Sequence, residues 1–436
     1  MHLSAGGRLA GTTAFGPERT LDRRMAITLR DVLALATRRG GARAGGSVGR
    51  MRIAILGAGP VGLEAALAAA ARGDDVTVFE AADAVGGNVR SWAHVRTFTP
   101  WDMVVSPRVR AVLGDAVPSG DALPTGAEIV AQVLDPVAAS PALAGRIRTG
   151  TRVVAVAREG LLKHEEIGSP ERAARPFRLL LVHADGSESL AHADAVIDAT
   201  GSYGQPNRLG DGGIDALGER AFEERITRRL TAPDPAWAGH TLLLTGAGAS
   251  AQTAARDLAA FACGAPGTRV VWAVRDADPD WGAVPDDSLP ARAALNASSR
   301  ELQHGASDAV RVIPGVSTEA LRPADGRIAV TLRNGSAQEV VVDHVLALNG
   351  GVGDASIYRQ LQVHECYATL GPIKLAATLL ASAGADCLAV GPAGPDVLRN
   401  PEPNFFILGA KSYGRNSQFL LRTGWQQVDD VFKTHL

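Results

Sequence analysis

Hydrophobic positions along this chain fall into two patterns that each occur twice. The first is a short, unbroken apolar run that gives way to glycines and then to a long Ala-rich stretch. IAIL (53–56) leads through GAGPVG into LEAALAAAA (63–71), and TLLL (241–244) leads through GAGASA into QTAARDLAAFACG. An unbroken apolar run of this length predicts a parallel strand covered on both faces, and the Ala-rich stretch predicts a buried helix. After each helix a second apolar strand follows, DVTVF (75–79) and RVVWAV (269–274). The second pattern is strict alternation around a turn. FRLLLVHADGSESLAHADAVIDATG (177–201) and RIAVTLRNGSAQEVVVDHVLALNGG (327–351) each read as strand, DG or NG turn, strand, then an Asp before an apolar strand ending in Gly. DG and NG between alternating runs predict hairpins, here extended into small meanders. The chain thus reads as two copies of one strand–turn–helix design, each followed by a β-meander.

The glycine turns carry the chemistry. In the first, Gly57, Gly59 and Gly62 form GxGxxG between a strand and a helix, with Pro60 and Val61 inside the turn. Gly57 permits the tight turn, Gly59 lets backbone approach a pyrophosphate, and Gly62 lets helix and strand pack closely. The helix N-terminus supplies N–H groups and a positive dipole end. Glu80 ends the following strand 18 residues past Gly62, placed to accept hydrogen bonds from a ribose diol. In the second turn, Gly246, Gly248 and Ala251 form GxGxxA, and Ser250 adds a hydroxyl able to reach a phosphate oxygen. Its second strand is followed not by an acid but by Arg275, whose guanidinium can bind a 2′-phosphate in a bidentate way. That favours NADPH over NADH, with Asp276 beside it as a competing feature and a solvated strand end as the alternative.

Composition narrows the class. The chain has 436 residues, enough for two or three domains, with 46% hydrophobic and 21% charged residues. A net charge of −2 gives no global attraction to nucleic acid or anionic lipid. No apolar run reaches the roughly 18 residues a membrane span needs. Three cysteines, Cys263, Cys366 and Cys387, form no CxxC, and no His/Cys cluster has zinc spacing. A reduced, cytoplasmic setting is the simplest reading. Residues 1–50 differ from the rest, with nine Arg against three acids. They read as a transit peptide or other disordered leader, or as a mis-assigned start ahead of Met51, and stand outside the fold reading.

The order of these features, GxGxxG…E, then Gly86-Gly87, then Ala199-Thr200-Gly201, then GxGxSA, then a late glycine, resembles the two-dinucleotide-binding flavoproteins: glutathione-reductase-like enzymes and flavin-dependent monooxygenases. The resemblance covers 51–436. It implies an α/β fold of two Rossmann-like domains, with an NAD(P)H domain (236–349) inserted in an FAD domain (51–235 and 350–436). It implies that Gly57, Gly59, Gly62, Glu80, Gly87 and Asn88 bind FAD, with Val153 and Val154 contacting the adenine through backbone and Thr200 and Gly201 at the crossover. The second turn would hold NAD(P)H. The reductase branch carries a redox-active disulfide that is missing here. GAGASA and VIDATGSYGQPN look more like the monooxygenase branch. The FxGxxxH fingerprint of flavin-containing monooxygenases is absent, as it is from the ornithine and lysine N-hydroxylating relatives.

In reductase relatives an acid follows the late glycine, whereas here Gly409 is followed by Ala410 and Lys411. The C-terminal SQFLLRTGWQQVDDVF (417–432) is expected to be a helix with its N-terminus toward the flavin, with Gln418 at that end; its dipole would stabilise negative charge on reduced flavin. Residues 88–107 read as irregular, and the resemblance implies that they line the flavin ring and the substrate pocket. His94, Trp101, Lys411 and Gln418 are the catalytic candidates, against packing or solvated roles for each; Cys366 and Tyr367 are further pocket candidates, and Cys263 reads as core. The resemblance implies NADPH reducing FAD, oxygen adding as a C4a-hydroperoxide, and transfer to nitrogen or sulfur of a small molecule. Alternatives are an FAD-dependent dehydrogenase or reductase without oxygen insertion, and a non-catalytic FAD/NADP-binding protein. Expected partners are a small-molecule substrate and dioxygen, without nucleic acid or membrane; self-association is left open. If Arg275 reads the 2′-phosphate, Arg275→Ala raises KM for NADPH far more than for NADH; equal effects in steady-state kinetics remove it from that role.

Overall fold

The computed structural model describes residues 50–381 and 394–436. Residues 1–49, expected to be a leader or a mis-assigned start, and Cys387 lie outside the described residues. The rest is one unit, built on two five-stranded parallel sheets. The first runs Phe405–Ile407, Ala195–Asp198, Arg52–Leu56, Asp75–Phe79, Ile147–Arg148 across its width. The second runs Ile226–Thr227, His344–Ala347, Thr241–Thr245, Arg269–Ala273, Val310–Ile313. In each, the strand entering the glycine turn is central, flanked by the strand after the helix and by the strand closing the meander. Every pairing in both sheets is parallel. The fold is therefore α/β with two Rossmann-like units, and the strands of the second sheet (226–347) fall within the span of the first (52–407).

Unbroken apolarity in the central strands reflects two different covers. Ile53 and Ile55 pack with the Pro60–Ala71 helix, while Ala54 and Leu56 face Phe177 and Leu179 of the meander. Leu242 and Leu244 face the Ala249–Gly264 helix, and Leu243 the second meander. Alternate residues of a strand point to opposite faces, so both must be apolar. The meanders are three-stranded and antiparallel: Thr151–Arg158, Phe177–His183, Glu188–Ala193, and Ser317–Ala324, Arg327–Asn334, Ser336–Val342. The DG and NG turns hold their glycines at positive φ, +81° at Gly186 and +63° at Gly335. Both first strands carry a bulge near their start, between Val153 and Ala155 and between Thr318 and Ala320.

Two expectations change. The units are not simple copies: the edge strand beside the closing strand comes from the C-terminal segment (405–407) in the first sheet and from upstream of the glycine turn (226–227) in the second. An edge slot needs only a short segment of the right direction, from either side in sequence. The last helix spans Leu421–Thr434 rather than starting at 417, so Gln418 precedes it. No helix of the described residues is long and apolar enough to cross a membrane.

A buried ion cluster ties the first meander to the C-terminal strand. The Glu402 carboxylate accepts from Arg158 Nε at 2.7 Å and Arg172 Nη2 at 2.7 Å, with all three side chains fully buried. The Arg158 guanidinium also lies 3.7 Å from the Phe177 ring centroid. Removing one partner of such a cluster leaves uncompensated charge out of water. Glu402→Gln is expected to cost about 3–5 kcal/mol of folding stability, read as a lowered denaturation midpoint.

Candidate dinucleotide sites and the crossover between them

The two glycine turns have similar backbone angles at their first two glycines. Gly57 and Gly246 sit at φ +93° and +106°, just past their strands. Gly59 and Gly248 are the residues before the helices, at φ −77° and −75°. Each glycine has its own reason. A Cβ on Gly57 would come within 2.8 Å of the Ala199 carbonyl oxygen. A Cβ on Gly62 would collide with the Gly57 carbonyl oxygen, so helix and strand touch backbone to backbone. A Cβ on Gly59 or Gly248 would meet nothing within 4 Å. Open space over a helix N-terminus, whose first N–H groups have no intrahelical partner, is a cradle that fits a pyrophosphate. Pro60 opens the first helix and donates nothing there. Ser250 is exposed at the second turn, and Ala251 is fully buried against its sheet.

Around the first turn the expected FAD-binding residues converge. Glu80 is buried; its carboxylate accepts from the amides of Ala58 at 2.7 Å and Ala82 at 2.9 Å. Each carboxylate oxygen keeps a second lone pair, so a ribose hydroxyl can still be accepted. Gly87 lies against it: a Cβ there would be 3.5 Å from Glu80 Oε1. The Asn88 amide donates to the Thr200 carbonyl at 3.4 Å, and the space beside Gly201 is bounded by the same amide. Val154 is half-buried inside the bulge of the first meander. The Val61 side chain points elsewhere, packing where Cβ atoms on Gly409 and Gly424 would lie. It clamps the C-terminal segment over the turn.

At the second turn, Thr245 pairs with Ala273 as Leu56 pairs with Phe79. Val274, buried, therefore holds the position equivalent to Glu80, and Arg275 stands one residue beyond it, exposed to solvent.

The four catalytic candidates are not brought together. His94 and Gln418 are exposed. Trp101, expected at a pocket, is 7% exposed and belongs to the core behind the first helix. Its apolar ring takes a packing role. Lys411 is neither solvated nor free. Its ammonium is buried and donates to Asp198 Oδ2 at 2.5 Å, Thr200 Oγ1 at 3.2 Å and the Asp354 carbonyl at 2.8 Å. It also lies 5.0 Å from the Tyr358 ring centroid. Asp198 Oδ1 in turn accepts from the Thr200 hydroxyl at 2.7 Å and its amide at 3.2 Å. Asp198, Asp354 and Tyr358 are additions to the sequence reading; one Asp inside the apolar strand of VIDATG is the signal that marks the first. Burial and the Glu365 carboxylate, which accepts from the Tyr358 hydroxyl at 2.6 Å, push that phenol well above its ordinary value. Burial alone would raise the Asp354 carboxyl, but the Ser356 hydroxyl and amide, the Gln205 side chain and the Lys411 charge together hold it below its ordinary value. Cys366 is buried; the Thr369 hydroxyl and amide and the Ala368 amide hold its thiol below the usual range. Tyr367 is 95% exposed, and Cys263, expected in the core, is exposed on its helix. Among the described residues, no His/Cys/Asp/Glu cluster could hold a metal ion.

Comparison with known proteins agrees with this geometry. Residues 55–114 match the family of NAD(P)-binding Rossmann-like domains. No curated protein sequence matches. The fold is shared with solved structures over 88% of this chain. A bacillithiol disulfide reductase from Bacillus cereus is similar at TM-score 0.64 and 19% identity, with 98% of that chain covered. An ornithine N-hydroxylase from Kutzneria, solved with reduced FAD, NADP+ and L-ornithine, is similar at 0.56 and 14%, with 98% covered. A flavin-containing monooxygenase from Stenotrophomonas maltophilia is similar at 0.53 and 16%, with 97% covered. The chain thus matches an NAD(P)-binding Rossmann-like domain over 55–114 and shares its fold with these solved oxidoreductases. The matched stretch contains the first turn, where the open space over Gly59 has a form that fits a dinucleotide pyrophosphate.

The contrast between glycines is testable. Gly59→Ala leaves folding stability within about 1 kcal/mol but weakens dinucleotide binding, because its Cβ enters only the open cradle. Gly62→Ala lowers stability by about 1–3 kcal/mol or more, because the helix must move off the strand. Thermal unfolding of the ligand-free protein and dinucleotide titration measure both.

Proposed function

We propose that the chain is an FAD-dependent oxidoreductase that takes hydride from NADPH and, with dioxygen, oxygenates a nitrogen or sulfur of a small molecule. FAD belongs at the first turn, with Gly57, Gly59, Gly62, Glu80, Gly87 and Asn88, and NADPH at the second, with Gly246, Gly248, Ser250 and Arg275. The FAD domain is then the part built on the first sheet, with its strands in 52–198 and 405–407, and the NADPH domain is the part built on the second, which starts at Ile226 and not at 236. When bound, the flavin supplies the redox and oxygen chemistry. The protein's own part is to orient and to exclude water. Asn88, Thr200 and Gly201 shape the crossover, Gly409 and Val61 close the C-terminal segment over it, and the helix N-termini meet the phosphates.

The observation that carries the oxygenase reading is the cysteine arrangement. A disulfide reductase that works through a CxxC pair needs two thiols at that spacing, and no two of the chain's three cysteines have it. Cys263 sits on the helix of the second unit and Cys366 on a loop beside the C-terminal segment, both as free thiols. A second reading, a reductase that passes electrons on without oxygen insertion, draws support from the fold shared with the bacillithiol disulfide reductase and from the lowered thiol of Cys366.

The purified protein should show a flavin spectrum, and a screen of amines and thioethers should find one that stimulates NADPH and oxygen consumption together. Isotope from labelled dioxygen then appears in the product. Substrate turnover that persists without oxygen, or with a disulfide as acceptor, overturns the oxygenase reading in favour of the reductase. NADPH left unconsumed across the screen by flavin-loaded protein points to a binding protein.

A further inference from the structure

The chain passes between its two sheets twice, through 199–225 outward and 348–354 on return. These linkers are joined to each other. Gln205–Pro206 pairs antiparallel with Gly351–Val352. Asn207 donates from its amide to the Gly350 carbonyl at 3.0 Å and from its side chain to the Asn349 carbonyl at 2.8 Å. A Cβ on Gly351 would stand 2.9 Å from the Gln205 carbonyl oxygen, so the two backbones are in contact. On the side of the second sheet, this ribbon is held by Thr245, whose hydroxyl donates to Asn349 Oδ1 at 3.0 Å.

On the side of the first sheet the hold is Lys411. Its ammonium grips the last residue of the outgoing strand (Asp198), the first turn of the outgoing linker (Thr200) and the last residue of the returning one (Asp354). The lysine stem crosses directly over Gly353, where a Cβ would overlap its methylenes. Two further side-chain bridges to the linkers are weaker: Arg415 to Asn207 at 3.3 Å is exposed, and Asn88 to the Thr200 carbonyl is an uncharged contact at 3.4 Å. A charged hydrogen bond in a buried setting is worth more than an exposed one, and an ammonium with three acceptors cannot leave one without stranding buried charge.

We propose that Lys411 is a hinge pin: through Asp198, Thr200 and the Asp354 carbonyl it locks both linkers to the first sheet and so sets how the second nucleotide unit is presented to the first. It is a positioning residue, not one that exchanges a proton with substrate. The claim about the linkers stands without any cofactor; its effect on electron transfer rests on the proposed function.

Hydrogen exchange read by mass spectrometry on the full chain tests the pin, comparing the native protein with Lys411→Met and with the charge-neutral double variant Lys411→Met/Asp198→Asn. The expected result is faster exchange by about ten-fold or more in peptides covering 199–208 and 348–355, with the strands 52–56 and 241–245 still protected. Unchanged linkers, or equal loss of protection in linkers and strands in both variants, overturns the proposal. With flavin bound, the variants should be reduced more slowly by NADPH but at the native rate by dithionite, with the flavin midpoint potential unmoved. A shifted potential with both reductants affected alike would instead place Lys411 on the flavin. If the protein takes up no flavin, the functional reading fails and the exchange result still decides the pin.

Discussion

A strand hands its chain straight to a helix only where the two can approach closely, and in the first unit the point of closest approach is Gly62 on the Gly57 carbonyl. With any side chain at Gly62 the helix would stand off the sheet. Its N-terminus would then no longer lie beside the carboxyl ends of the strands. The same step recurs at Gly246, whose Cβ position is blocked by the Leu348 carbonyl, and at Ala251, which is small enough to be fully buried. Both units therefore aim a helix N-terminus and a ring of loops at the same end of their sheet, where open parallel sheets bind ligands.

What surrounds those ends is divided by polarity. Each sheet is sealed on one face by its helix and on the other by its meander, and buried charges gather at strand ends and linkers. There the charges come in closed sets: Glu80 on two amides, Asp198 on Thr200 and Lys411, Glu402 between two arginines. A buried charge without such a set would cost several kcal/mol. These sets fix the loops while leaving the space over Gly59 and Gly248 open.

The parts of this design that are local in sequence were legible in it. Glycine turns, hairpin turns and doubly apolar strands announce themselves within about ten residues, because steric and period rules act over that range. Contacts between distant residues were not. Nothing near Lys411 in sequence indicates a partner at Asp198, and a charged loop residue reads as solvated until the fold buries it. Trp101 sits in a stretch without periodicity, so its place in the core was invisible. The edge strand at 226–227 is two residues long, below what any pattern can register. The last helix begins at Leu421 rather than 417 because helix boundaries are set by tertiary context. At the candidate sites, the glycines and Glu80 fell where their spacing put them, while Arg275 proved to stand one residue past the position equivalent to Glu80.

The different origins of the two edge strands also have a bearing on the order in which the molecule assembles. All five strands of the second sheet lie in one unbroken segment, 226–347, so that unit can complete itself as soon as the segment has left the ribosome. The first sheet must wait for Phe405–Ile407, which arrives some 200 residues after its neighbour Ala195–Asp198. Until then its closing strand presents an open edge, and an open edge is a template for wrong pairing. The late-synthesised segment is thus also a cap, and it closes the edge that the half-built first unit leaves open.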